Sequence, residues 1–113
     1  MHALSLLAIL LPLAAADTHN WCSCQSWTSG QNAKWGVNQM LSYFVCSQDF
    51  KGVAKFDVNT NRCNGLNGYK IDGDTWNGHC KAAALGYFPI TMDGYMDISG
   101  TPLKVDEAVG LCR

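Results

Sequence analysis

Ile71 to Gly86, IDGDTWNGHCKAAALG, reads as an α-helix with both ends written into the chain. Asp72 is suited to the N-cap, because its carboxylate can accept from the free amides of the first turn. Ile71 before it and Trp76 four positions after it stand at the two positions of a hydrophobic staple. Trp76, Cys80, Ala83 and Ala84 fall at i, i+4, i+7 and i+8, a single apolar stripe. Gly86 is placed for a left-handed stop. Cys80 is therefore expected to point into the core beside Trp76, where a disulfide ties the helix to the rest of the fold.

Upstream, residues 1–16, MHALSLLAILLPLAAA, form an apolar run closing on small residues, with Ala14 and Ala16 in A-x-A positions. The pattern predicts a secretory signal peptide cleaved after Ala16, since the run is short of the roughly 20 apolar residues a bilayer needs. Residues 17–113 then form one domain. Its six cysteines, Cys22, Cys24, Cys46, Cys63, Cys80 and Cys112, are an even set in a short exported chain, which predicts three disulfides among fifteen connectivities. The absence of C-x-x-C argues against zinc, and no cofactor is implied. A formal net charge of −1, with charged residues at only 15%, leaves no electrostatic footprint for nucleic acid or an anionic membrane.

The remaining segments read as follows. Thr18–Trp27 alternates as a strand, with Cys22, Cys24 and Ser26 on one face and Trp21, Ser23, Gln25 and Trp27 on the other. Cysteines at i and i+2 on one face must seek separate partners. After a turn at 29–32, a helix is predicted to about Gln48 with Val37, Met40, Leu41, Phe44 and Val45 as its buried stripe, which leaves Cys46 nearly opposite. Val53–Val58 and Arg62-Cys63 read as two strands around the Asn59–Asn61 turn. Asn64-Gly65 and Asn67-Gly68 are both turn signals. Tyr87–Met92 and Tyr95–Ile98 flank Asp93-Gly94 as a hairpin, and Leu103–Val105 is read as the last strand. The order predicts an α+β fold, two helices on a small antiparallel sheet forming a disulfide-stabilised sandwich.

No catalytic constellation stands out. A small secreted ribonuclease or toxin-like hydrolase would need His, Glu and Arg groups brought together; His19, His79, Glu107 and Arg62 can be named, but nothing in their spacing brings them together. Asp72, Asp74 and Gly78 echo a calcium loop, but Trp76, Asn77 and Ala83 occupy positions where that loop needs a ligand, a glycine and a glutamate. The run Tyr69–Thr75 resembles the strand and Gly-Asp-Thr turn that opens a LysM chitin-binding module, which implies sugar contacts at Asp74, Thr75 and Trp76. Trp21 and Trp27 are further candidates for stacking on a ligand.

Taken together, Cys22-Ser23-Cys24, then Cys46, Cys63, and Ile71-Asp72-Gly73-Asp74-Thr75-Trp76 with Cys80 follow a C-x-C … C … C … I-x-G-x-x-(x)-C layout. It resembles that of small secreted cysteine-rich proteins of filamentous fungi, many of them candidate effectors in virulence. The resemblance implies an extracellular, non-enzymatic protein that binds a host or competitor protein, with cell-wall glycan as the alternative ligand. An exposed apolar patch on one sheet face, built from Trp21, Trp27 or Tyr87, is the feature such a protein would need.

Overall fold

A computed structural model describes residues 17–30 and 33–113. The expected signal peptide lies outside the described residues, as do positions 31 and 32 of the expected turn. The elements run β1 (Thr18–His19), β2 (Trp21–Trp27), β3 (Gly36–Val37), α1 (Gln39–Asp49), β4 (Ala54–Asp57), β5 (Arg62–Gly65), β6 (Ile71–Asp72), α2 (Gly73–Ala83) and β7 (Glu107–Cys112). The fold is α+β: two helices and an antiparallel sheet joined by three disulfides.

Strand β2 is the centre of the main sheet. Along one edge it pairs with β7 from Cys22↔Cys112 to Trp27↔Glu107. Along the other it meets β5 at Trp21 and Cys22, and β3 at Gln25 and Ser26. The gap between those two partners exposes the Cys24 backbone, and α1 fills it. The Cys24 amide donates to Ser42 Oγ (2.7 Å), and the Asn38 amide donates to the Cys24 carbonyl (2.9 Å). Strand β4 extends the sheet beyond β5. The strand expected over Thr18–Trp27 breaks at Asn20, and β1 pairs separately with β6.

Residues directly opposite in an antiparallel pair share a face. Cys22, Cys63 and Cys112 are such partners, and Cys24 follows at i+2 of Cys22, so all four thiols open onto one side of the sheet. Cys22 bonds Cys112, Cys24 bonds Cys80 on α2, and Cys46 on α1 bonds Cys63. The six cysteines thus pair in a nested order, and both helices lie on the same side.

Helix α2 starts where its sequence says. The Thr75 amide donates to Asp72 Oδ2 (2.9 Å), and the Thr75 hydroxyl joins it (2.7 Å). These two bonds, the hydroxyl's the stronger, hold the Asp72 carboxyl below the usual carboxylate range. A carboxylate favoured by folding stabilises the fold above its unfolded value near pH 4, and that stability is lost as pH falls through the lowered folded value. Asp72→Ala is therefore expected to melt at a lower temperature than wild type at neutral pH, with the gap closing in strong acid. A gap that persisted at low pH would place its origin outside the cap.

Ile71, Trp76, Cys80, Ala83 and Ala84 are buried, as the stripe requires. Gly86 departs from expectation: it holds no positive φ, and the helix end closes through Leu85 to Ala82 and Gly86 to Ala83 hydrogen bonds. Trp76 packs against Phe50 (centroids 5.3 Å apart) and donates its indole N–H to the Ser23 carbonyl (2.8 Å). Gly110 on β7 makes this approach possible. A Cβ there would stand 2.7 Å from Trp76 Cδ1 and 3.0 Å from Asn77 Cα.

Helix α1 differs more from its expected form. It begins at Gln39, not after the 29–32 turn, because Gly36-Val37 pairs with β2 and Asn38 caps the helix, accepting from the Leu41 amide (3.0 Å). Its buried residues are Leu41, Ser42, Val45 and Cys46. Val37 is outside the helix and exposed, whereas Met40 and Phe44 are half-buried against the core. The stripe turns toward Cys46 because Cys63 and the Cys24 backbone draw that side inward. Ser42 is accommodated by donating to Asn38 O (2.7 Å).

Of the two Asn-Gly pairs, Asn67-Gly68 makes a turn, with φ of 51° and 83°, while Asn64-Gly65 lies in β5. Residues 84–106 form a long excursion in which the expected hairpin is present in reduced form, Ile90 bridged to Met96 around Asp93-Gly94 with Gly94 at φ 85°, and in which only Leu103 of the expected last strand Leu103–Val105 is bridged, to Tyr87. Backbone hydrogen bonds from the Thr91 amide to Tyr95 (2.8 Å), the Asp97 amide to Pro89 (2.8 Å) and the Val105 amide to Ala84 (3.1 Å) add to these bridges. The last strand is instead Glu107–Cys112.

Candidate functional site

The sheet has one side occupied by α1, α2 and the disulfides. The opposite side carries the alternate residues of the same strands: Trp21, Ser23, Gln25 and Trp27 from β2, with Val109 and Leu111 from β7. Among the described residues no helix or strand lies across it. Trp21, Gln25, Trp27, Val109 and Leu111 are half-buried, so they show part of their surface to solvent. Ser23, between them, is buried and donates to the Asn61 carbonyl.

The two tryptophans stand six residues apart on one strand, a span of about 20 Å. They are not equivalent. The Arg62 guanidinium sits 4.0 Å from the Trp21 ring centroid, a cation–π contact that occupies one ring face and rigidifies the edge of the surface. Trp27, paired with Glu107 at the other end, has no such partner among the aromatic and cationic contacts of the described residues. The surface thus combines a fixed aromatic–cation pair, a second tryptophan and two aliphatic side chains, with Gln25 and Asn64 as polar contacts. It can bury apolar area against a partner and offer a few directional hydrogen bonds, the composition of a recognition surface.

The other candidate ligand contacts lie elsewhere. Trp76 is fully buried and is a core residue. The Thr75 hydroxyl is committed to Asp72. Asp74 is exposed at the first turn of α2 and borders a shallow groove with Asp17, His19, Asn77 and Gly110. Tyr87 is buried too, its hydroxyl accepting from Asn38 Nδ2 (3.2 Å), so it takes no part in the sheet surface. Val109, Leu111 and the role of Arg62 were not read from the sequence, because they depend on the β2–β7 and β2–β5 register. The alternation of β2 did place Trp21 and Trp27 on one face.

The residues that a hydrolase would need do not converge. His19 pairs with Asp17 (2.9 Å) beside Gly73, on the side of the sheet that carries α2. His79 on α2 meets Asp49 at the end of α1 (3.2 Å) and packs edge-on to Phe50, an interhelical contact. Glu107 lies at the far end of β7, and Arg62 is engaged on Trp21.

Two further acids tie down loops. The Ser29 amide donates to Asp106 (2.7 Å), and the Ser99 hydroxyl and amide both donate to Asp97, so each carboxyl is held below its ordinary range. No helix among the described residues is long and apolar enough to cross a membrane.

The chain matches no protein-family model, no curated protein and no solved structure.

Proposed function

We propose that this chain is an extracellular, non-enzymatic binding protein of the cysteine-rich effector-like type, and that it engages a host or competitor protein through the uncovered face of its sheet. The observation that carries this reading is the one-sidedness of the sheet. Both helices and all six cysteines are placed on one side, and half-exposed Trp21, Trp27, Val109 and Leu111 are left on the other. An exposed apolar face costs solubility and is kept where a partner covers it. The apolar leader at residues 1–16 and the three disulfides support an oxidising, exported setting.

Cell-wall glycan is the second reading, favoured by Trp27 with its neighbouring amide Gln25. The test sets the two side by side. Oxidised residues 17–113 and a Trp27→Ser/Leu111→Ser variant, matched for near-ultraviolet circular dichroism, are incubated with insoluble chitin, cellulose and glucan, and separately with extracellular host fluid. The expected result is no retention on any polymer and a discrete protein captured by wild type and lost by the variant. Retention on chitin lost in the variant would move the assignment to glycan. Capture indifferent to the variant would overturn the sheet face as the binding surface.

A further inference from the structure

Three asparagines of the described residues are followed by glycine: Asn64, Asn67 and Asn77. As dipeptides they are equivalent, since none has a following side chain to shield the amide beside it. The fold makes them unequal. The reaction open to such a pair joins the glycine nitrogen to the side-chain carbonyl carbon of the asparagine. It needs an amide that is unbonded, wetted and free to move.

Asn64-Gly65 is withheld by the sheet. Asn64 stands between Trp21 on one side and Lys55 on the other. The Gly65 amide donates to the Asn20 carbonyl (3.0 Å), and a Cβ on Gly65 would collide with the Tyr69 carbonyl oxygen. Asn77-Gly78 lies inside α2, whose amides are held by the helix ladder, and Asn77 Oδ1 accepts from the Gly110 amide (2.7 Å). Asn67-Gly68 is different: it forms the turn between β5 and β6, where residues 66–70 are all exposed. Asn67 and Gly68 both stand at positive φ (51° and 83°), and the Tyr69 amide closes the turn on the Leu66 carbonyl (2.9 Å). Among the described residues the Gly68 amide donates no hydrogen bond, and nothing lies within 4 Å of the place a Gly68 Cβ would take. Opening such a turn costs little, whereas freeing Gly65 or Gly78 breaks a strand or a helix.

From this contrast we infer that Asn67 is a modification site, at which the folded chain converts an asparagine to a carboxylate without an enzyme while Asn64 and Asn77 are protected. Hydroxide takes the Gly68 amide proton, and the nitrogen attacks Asn67 Cγ. The bond from Cγ to the side-chain nitrogen breaks, and that nitrogen leaves as ammonia with a proton returned by water. A cyclic imide now joins the two residues. Water adds to one of its two carbonyls and opens the ring, restoring the Gly68 N–H. Opening at one carbonyl gives aspartate, and at the other isoaspartate, whose main chain runs through the side-chain carbon. The balance is one water consumed and one ammonia released. A new negative charge is left on the turn that precedes Lys70, whose ammonium donates to Asn20 Oδ1.

The test incubates oxidised residues 17–113 at mildly alkaline pH beside the reduced, alkylated and denatured chain. Samples are mapped by proteolysis and mass spectrometry. In the denatured chain the three pairs should react at comparable rates. In the folded chain Asn67 should lose its amide more than about tenfold faster than Asn64 or Asn77. Conversion should quicken as pH rises and yield both linkages, one of them matching the corresponding peptide of Asn67→Asp. Folded Asn67→Asp should show no further change of charge on ion exchange over the same period. The proposal is overturned by Asn64 or Asn77 reacting as fast as Asn67 in the folded chain, by a matching charge change in folded Asn67→Asp, or by Asn67 staying intact in the folded chain while the denatured chain reacts.

Discussion

Trp76→Ala is expected to lower the unfolding free energy of residues 17–113 by about 3–5 kcal/mol, the range for truncating a fully buried aromatic. Trp76 is completely excluded from solvent and sits between Phe50 and the Gly110 backbone. Its removal leaves a cavity bounded by a strand that cannot move inward, because β7 is bonded to β2 along its length. It also deprives the Ser23 carbonyl of the indole donor. Domains of this size have about 5–15 kcal/mol in all, so the variant should be close to unfolding at physiological temperature. Trp76→Phe, which fills most of the space and loses only the hydrogen bond, should cost markedly less. Urea denaturation of the oxidised proteins gives both values. A loss near that of an ordinary surface substitution in Trp76→Ala would mean that the indole is not what holds α2 on the sheet.

The second large effect is expected at the disulfide between β2 and α2. Cys24→Ala/Cys80→Ala removes a link between residues 56 apart, and chain entropy alone predicts a loss of about 4 kcal/mol. The link between Cys46 and Cys63 spans 17 residues and should be worth about 3 kcal/mol on the same account. The double substitution is preferable to Cys80→Ser alone, which would leave a thiol and a hydroxyl in the core. The order of the two denaturation midpoints is the measurement. If Cys46→Ala/Cys63→Ala proved the more damaging, native packing around α1 would outweigh the freedom gained by the unfolded chain.

How much of this was legible in the sequence depended on how local each signal was. Helix α2 was readable almost to the residue, because its cap, staple positions and stripe all lie within Ile71–Ala84. Helix α1 was misread at its start, since the pairing of Gly36-Val37 with Ser26 and Gln25 is not visible in its own residues. Its buried side was also misjudged. Ser42 and Cys46 look polar or neutral on a helical wheel, and only the Cys24 backbone and Cys63 explain why they face inward. Strand β7 was missed because Ala108 and Gly110, the residues that let α2 approach, are poor strand formers. The sheet face was half legible, through the alternation of Trp21 and Trp27. The groove of about 310 Å³ bordered by Met40, Tyr43 and Ile90 was not, because α1 and Ile90 meet only by the path of residues 84–106.

The nested pairing of the cysteines also bears on how the molecule would fare among extracellular proteases. Every peptide bond between Cys22 and Cys112 lies within the ring closed by the outermost disulfide. A single cut anywhere in that ring opens a loop but releases no fragment. The long segment 84–106, most of it exposed, lies inside the outer ring and outside the two inner ones. Clipping it would therefore leave β2, α1, β5 and α2 cross-linked among themselves, with β7 still bonded covalently to β2. A nicked molecule of unchanged shape, separable into two chains only after reduction, is the form in which such a protein would persist.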